Sequence, residues 1–202
     1  MSEGLIDWGV AASVLSGERE SGDQHLVAPF PGGVLVAAID GLGHGPEAAV
    51  AAKRAVEVLE SHAGKPLPAL LERCHENLRG TRGAVVTLAA FVSDRPKLRW
   101  VGVGNIEGTL VRADPEAARP RESVMLAGGV AGHQLPPVRP TELELNVGDT
   151  LVLATDGVRA GHAEAIERTV SPTETAERIL DSYGRGTDDA LVLVARYLGP
   201  AG

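Results

Sequence analysis

The chain has 202 residues, 19 Lys+Arg against 27 Asp+Glu, and a net charge of −8. This length suits a single domain over 1–202 that buries about 70% of its unfolded surface, and the lone Cys74 excludes a disulfide framework or a Cys-rich zinc site. The acid excess argues against a nucleic-acid-coating protein, and with aromatic residues at only 3% the core must be built from Val, Leu, Ile and Ala.

Met1-Ser2-Glu3 opens on an acid, where a secretory signal needs a basic stretch. The longest apolar runs, 34–39 and 84–91, fall short of the roughly 20 residues a membrane helix needs. The expectation is a cytoplasmic protein that engages neither membrane nor nucleic acid.

Residues 5–16 and 33–39 read as strands, the second an unbroken apolar run bounded by Pro31-Gly32 and Asp40-Gly41 and so suited to burial on both faces. Gly45-Pro46-Glu47 opens a helix, with Pro at its first position and an acid in its first turn. Ala48, Ala52, Ala55, Val56 and Leu59 carry it to about His62. A second helix is expected over about 67–79, with Leu67, Leu70, Leu71, Cys74 and Leu78 on one side. Segments 84–93, 97–104 and 107–112 read as consecutive strands, their short connections favouring antiparallel pairing. Residues 113–141 read as an irregular loop with one short strand near 123–126. Segments 142–146 and 150–155 read as a hairpin turning at Val147-Gly148-Asp149. Ser171-Pro172-Thr173-Glu174 is a capping box opening a helix that carries Ala176, Ile179, Leu180 and Tyr183 and stops at Gly184. Residues 190–197 form a last apolar strand. Helices set between sheet strands point to a layered α+β sandwich.

One pattern recurs along this frame. Asp23 follows Gly22; Asp40 and Asp156 each precede a glycine at the end of an apolar strand; Asp188 stands just before the last strand. Taken singly, an Asp-Gly pair marks a turn. Taken together, several acids leaving buried strand ends repel one another unless a cation neutralises them. An all-oxygen donor set favours Mg²⁺ or Mn²⁺, and four carboxylates suit two such ions ~3.5–4 Å apart, the arrangement that activates water for phosphoryl hydrolysis.

Ser21-Gly22-Asp23, Ala38-Ile39-Asp40-Gly41-Leu42-Gly43-His44-Gly45, Gly102-Val103-Gly104-Asn105-Ile106-Glu107, Gly148-Asp149 with Ala154-Thr155-Asp156-Gly157, and Gly186-Thr187-Asp188-Asp189-Ala190 occur in that order. The set resembles the metal-dependent protein phosphatase 2C superfamily. The likeness is to its bacterial sporulation and stress-response (SpoIIE-like) branch, and there to stressosome phosphatases of the RsbX type. It runs from about residue 5 to 198. It implies a four-layer αββα sandwich of two mostly antiparallel sheets flanked by helices. It also implies a serine/threonine phosphatase acting on phosphorylated bacterial stress-regulatory proteins. On this resemblance Asp40 bridges two ions of Mn²⁺ or Mg²⁺, Gly41 offers a backbone carbonyl, Asp156 and Asp188 complete the other ion, and Asp23 holds a metal-associated water. Asp40, Asp156 and Asp188 are then the catalytic acids. His44 stands near a general-acid position but is displaced by the inserted Leu42-Gly43, which makes it a turn residue first and a proton donor second. Arg19 is set against a phosphate-binding arginine of the eukaryotic branch in an uncertain register, and Asp189 is a weaker site candidate. Two alternatives stay open: a catalytically weak binding module, and a dinuclear hydrolase of small phosphate esters. Arg112, Arg119, Arg121 and Arg139 read either as a solvated loop or as a basic rim for an acidic partner.

Overall fold

The computed structural model describes residues 4–167 and 169–200; the acidic opening Met1-Ser2-Glu3 lies outside the described residues. Its strands are β1 (Ile6–Ser13), β2 (Asp23–Phe30), β3 (Gly33–Gly41), β4 (Ala84–Val92), β5 (Lys97–Val103), β6 (Glu107–Val111), β7 (Arg121–Ser123), β8 (Leu126–Ala127), β9 (Thr141–Glu144), β10 (Thr150–Ala154) and β11 (Ala190–Tyr197). The helices are α1 (Pro46–Ser61), α2 (Leu67–Leu78) and α3 (Pro172–Tyr183). One sheet runs β1-β11-β10-β6-β7; the other runs β2-β3-β4-β5-β8, with β9 also on β5. The named strand pairs are antiparallel except β5 with β8.

The apolar runs explain the layering. In β3, Leu35, Ala37 and Ile39 face Leu59, Leu70 and Leu71 of the two helices. Their neighbours Val36 and Ala38 face the second sheet, meeting Leu151, Leu153, Leu191 and Leu193. In β11 the alternation repeats: Val192 and Val194 turn outward against Ala176 and Ile179 of α3. A strand with a layer on each side has no polar face to show, so period-two alternation disappears from its sequence. Three buried interlayers thus stack as helices, sheet, sheet, helix, the expected αββα order. Cys74 is a buried core residue whose thiol is pushed up to about 12 by burial. At α3 the side chain of Ser171 accepts from the Glu174 amide, as a capping residue should. Among the described residues, no helix is long and apolar enough to cross a membrane.

Four readings are corrected. Strand β2 was not expected: Gln24, His25 and Pro29 interrupt its apolar residues, because only Asp23, Leu26 and Ala28 are buried. Residues 97–104 and 107–112 are not neighbours in one sheet. Gly104, at φ +106°, and Ile106, whose carbonyl accepts from the Thr87 hydroxyl at 3.0 Å, carry the chain from β5 across to the other sheet. Residues 142–146 and 150–155 form no hairpin, because β9 pairs with β5 while β10 pairs with β6 and β11. The intervening turn is held instead by Asp149, whose carboxylate accepts from the amides of Ala113 and Asn146 and from the Arg112 guanidinium. The loop 113–141 holds two short strands, β7 and β8, one in each sheet.

Candidate metal centre

The expected acids gather at one edge of the sandwich, where the two sheets meet. Asp23 opens β2 and Asp40 lies directly opposite it near the end of β3. Asp156 follows β10, and Asp188 precedes β11, the strand paired with β10. Asp40, Asp156 and Asp188 line a cleft of about 280 Å³ together with Leu42, Gly43 and Asn105. Asp23 is buried behind them. A larger cleft of about 730 Å³ lies elsewhere, against Val111, Arg112 and Arg121, and none of these four acids lines it.

The two Asp-Gly glycines are needed for close approach. A Cβ on Gly41 would sit 2.1 Å from the Ala48 carbonyl oxygen at the start of α1. One on Gly157 would sit 1.9 Å from the carbonyl oxygen of Asp189. Any side chain at either place forces apart the loops that carry the acids.

The acids have distinct settings. Asp23 Oδ2 accepts from the Thr155 hydroxyl at 2.6 Å, and the Thr155 oxygen accepts in turn from the Leu191 amide at 2.9 Å. This contact joins the two sheets beneath the cleft. Asn105 donates to Asp156 Oδ2 at 2.7 Å. Asp188 is exposed and accepts from the amide of Asp189 at 2.8 Å. Asp189, the weaker candidate, is buried and turned away to hold the backbone: its carboxylate accepts from the amides of Leu15 and Gly22 at 2.8 and 2.7 Å. It fixes the loop that delivers Asp23.

His44 stands on the turn before α1 with its ring against Glu18 at 2.7 Å, and is not among the residues that line the cleft. Arg19 is exposed. Arg112 is committed to Glu122 and Asp149, so it belongs to the framework rather than to a basic rim. Thr155, Asn105 and the structural use of Asp189 were not anticipated. A threonine just before Asp-Gly and an asparagine just after Gly-Val-Gly were the signals available.

Burial pushes Asp23 up to about 7, against the opposing Thr155 hydrogen bond and with help from Asp189, Asp156 and Asp188. Burial likewise raises Asp40 to about 8, with added repulsion from Asp23, Asp156, Asp188 and Asp189. Among the described residues, no three acidic, histidine or cysteine side chains form a ready-made metal cage. A hydrated hard cation needs none, since Mg²⁺ keeps several waters and takes one or two carboxylates. Exposed Asp156 and Asp188 beside half-buried Asp40 could offer such a donor set, and the raised pKa of Asp23 and of Asp40 marks a place where positive charge is favoured.

This electrostatic strain has a measurable sign. Below its ordinary value of 3.8 the Asp40 carboxyl is protonated in both folded and unfolded chains. As pH rises toward 8, the unfolded chain ionises first and the fold weakens. In chelator, the thermal midpoint should therefore fall by about 5–10 °C more in wild type than in Asp40→Asn between about pH 5 and pH 8. Calorimetry decides; parallel curves for the two proteins mean that Asp40 titrates normally.

Known proteins share the sequence pattern and the fold of this chain. The family model described as Stage II sporulation protein E (SpoIIE) matches residues 31–198. Phosphoserine phosphatase RsbX of Bacillus subtilis (strain 168) is 20% identical over 183 residues, covering 88% of this chain and 87% of RsbX. A structure of RsbX in complex with magnesium superposes with a TM-score of 0.83 at 18% identity, over 95% of both chains. A chain from a study of the bacterial stressosome, a modular system adapted to control secondary messenger signaling, reaches 0.87 at 31% identity, over 95% of this chain and 99% of that one. The PstP catalytic domain in complex with two manganese ions reaches 0.69 at 20% identity, over 96% and 98%. The family match spans most of the sequence and the fold follows it, so this chain belongs to the SpoIIE family of the protein phosphatase 2C superfamily.

Proposed function

We propose that this chain is a single catalytic domain, a metal-dependent phosphoserine/phosphothreonine protein phosphatase. The carrying observation is the convergence of Asp40, Asp156 and Asp188 on one cleft at the edge of a SpoIIE-family sandwich. Asp40, Asp156, Asp188 and the Gly41 carbonyl hold two ions of Mn²⁺ or Mg²⁺, with Asp23 behind them. The magnesium of the RsbX structure and the two manganese ions of the PstP structure support the choice of ions. The ions supply an acidified water and neutralise charge on the phosphoryl oxygens.

The chain's own part is to place and hold those acids. Asn105 fixes the rotation of Asp156. Thr155 fixes Asp23, and Asp189 anchors the loop before it. Asp40, raised to about 8, gives up its proton when a cation arrives, so cation affinity rises with pH. His44, tied to Glu18, serves as a turn residue in this scheme.

The substrates are phosphorylated regulators of a stressosome-like assembly in the cytoplasm. The 31% identical chain from the stressosome study and the likeness to RsbX support this choice. Purified protein with Mn²⁺ should release phosphate from a phosphoserine peptide, and chelator should stop it. Release that persists in chelator overturns the metal-dependent mechanism.

A further inference from the structure

Among the described residues, no arginine, lysine or histidine lines the cleft that gathers the acids. A phosphomonoester near neutral pH carries about −1.5 to −2 charges, and its outer oxygens need donors beyond those that activate water. A cation stands beside the cleft on the loop between α2 and β4.

Arg82 stands there, and its backbone is fixed on both sides. Its carbonyl oxygen accepts from the His133 ring at 2.8 Å, and the next carbonyl, Gly83, accepts from the Leu42 amide at 3.0 Å. That second bond ties the Arg82 loop to the Leu42-Gly43 segment lining the cleft. The guanidinium reaches back over this segment. Its Nη1 lies 2.7 Å from where a Cβ on Gly43 would be, so the bare α-carbon of Gly43, at φ +86°, is what makes room for it. Its Nη2 pairs with Glu47 on the first turn of α1. Both partners of that pair are well exposed, at 46% and 71%. An ion pair so exposed contributes little, and Arg82 exchanges it readily for a dianion that accepts two parallel N–H bonds. Two other cations are engaged elsewhere: His44 with Glu18, and Arg112 with Glu122 and Asp149.

We infer that Arg82 receives the phosphoryl group of the substrate at the rim of the cleft, over the bare face of Gly43. This rests on the phosphatase activity proposed above. It puts the phosphate-holding cation on the α2–β4 loop, not on the segment before Asp23 where Arg19 stands.

The test compares wild type, Arg82→Ala and Arg82→Lys, all loaded with Mn²⁺. Binding of inorganic phosphate is titrated calorimetrically. KM and kcat are measured on p-nitrophenyl phosphate and on a phosphoserine peptide. Arg82→Ala should weaken phosphate binding about tenfold and raise KM about tenfold for both substrates, with a smaller change in kcat. Arg82→Lys should recover part of each loss, and the urea midpoint should not move. Unchanged phosphate binding overturns the assignment. So does a KM change confined to the peptide, which would make Arg82 a reader of the polypeptide. If wild type hydrolyses neither substrate, the phosphatase reading fails, while the phosphate titration still decides Arg82.

Discussion

Asp40→Ala should lower kcat/KM for Mn²⁺-dependent hydrolysis of a phosphoserine peptide by about 10³-fold or more, equivalent to roughly 4 kcal/mol of transition-state stabilisation. Asp40 is raised to about 8 by burial first and by its neighbours second: it faces Asp23 across the β2–β3 pair and shares the cleft with Asp156 and Asp188. Removing it relieves the repulsion and takes away a carboxylate that would hold the ions. Activity and stability should therefore move in opposite directions. The metal-free Asp40→Ala protein should melt above metal-free wild type at about pH 8, because a strained buried acid is gone. Added Mn²⁺ should raise the wild-type midpoint far more than that of the variant. Activity within tenfold of wild type, together with unchanged Mn²⁺ stabilisation, would remove Asp40 from the site.

The largest loss of stability is expected from Asp149→Ala. Asp149 is fully buried. It accepts from the Arg112 guanidinium at 2.8 Å, from the Ala113 amide at 2.8 Å and from the Asn146 amide at 2.9 Å. Truncation leaves the Ala113 and Asn146 amides without that acceptor and takes a buried carboxylate from Arg112, itself only 13% exposed. Breaking a buried pair from one side costs about 3–5 kcal/mol, or roughly 10 °C in Tm for a chain of this size. Asp149 precedes β10 and Asp156 follows it, so the damage falls at the far end of that strand from the cleft. Activity measured well below the melting temperature should survive. Urea unfolding and a low-temperature assay on one preparation separate the two effects; a drop below about 1 kcal/mol would make Asp149 an ordinary turn residue.

The helices and most buried strands were legible because each carries a periodic or continuous apolar signal. In α2, Leu67, Leu70, Leu71, Cys74 and Leu78 are the buried residues, as their spacing predicts. Asp40 and Asp156 were legible because a glycine follows each where loops crowd. Sheet membership was not legible. Residues of β5 and β6 are apolar for the same reason, burial between layers, and nothing in such a run says which sheet it joins. The crossing depends on Gly104 and on the Thr87 hydroxyl reaching Ile106, a contact between residues 19 apart in sequence. The false hairpin at 147–149 has a similar origin: Asp149 looks like a turn acid locally, while its partner Arg112 lies 37 residues away. Asp188 and Asp189 are adjacent and chemically identical, yet one opens to the cleft and the other holds the amides of Leu15 and Gly22. Only the fold separates them.

The hydrogen bonds behind Asp23 run in one direction. The Leu191 amide can only donate, so the Thr155 oxygen is taken as an acceptor. The single Thr155 proton then goes to Asp23 Oδ2, 2.6 Å away, in preference to the Leu191 carbonyl at 3.5 Å. Oδ2 is thereby an acceptor whether Asp23 is ionised or not. The proton that Asp23 keeps up to about pH 7 must sit on Oδ1. The two oxygens of one carboxylate divide their labour: one is held by the scaffold, and the other is left to carry the proton. A main-chain amide in the last strand thus decides which atom, in a residue near the start of the chain, is free to react.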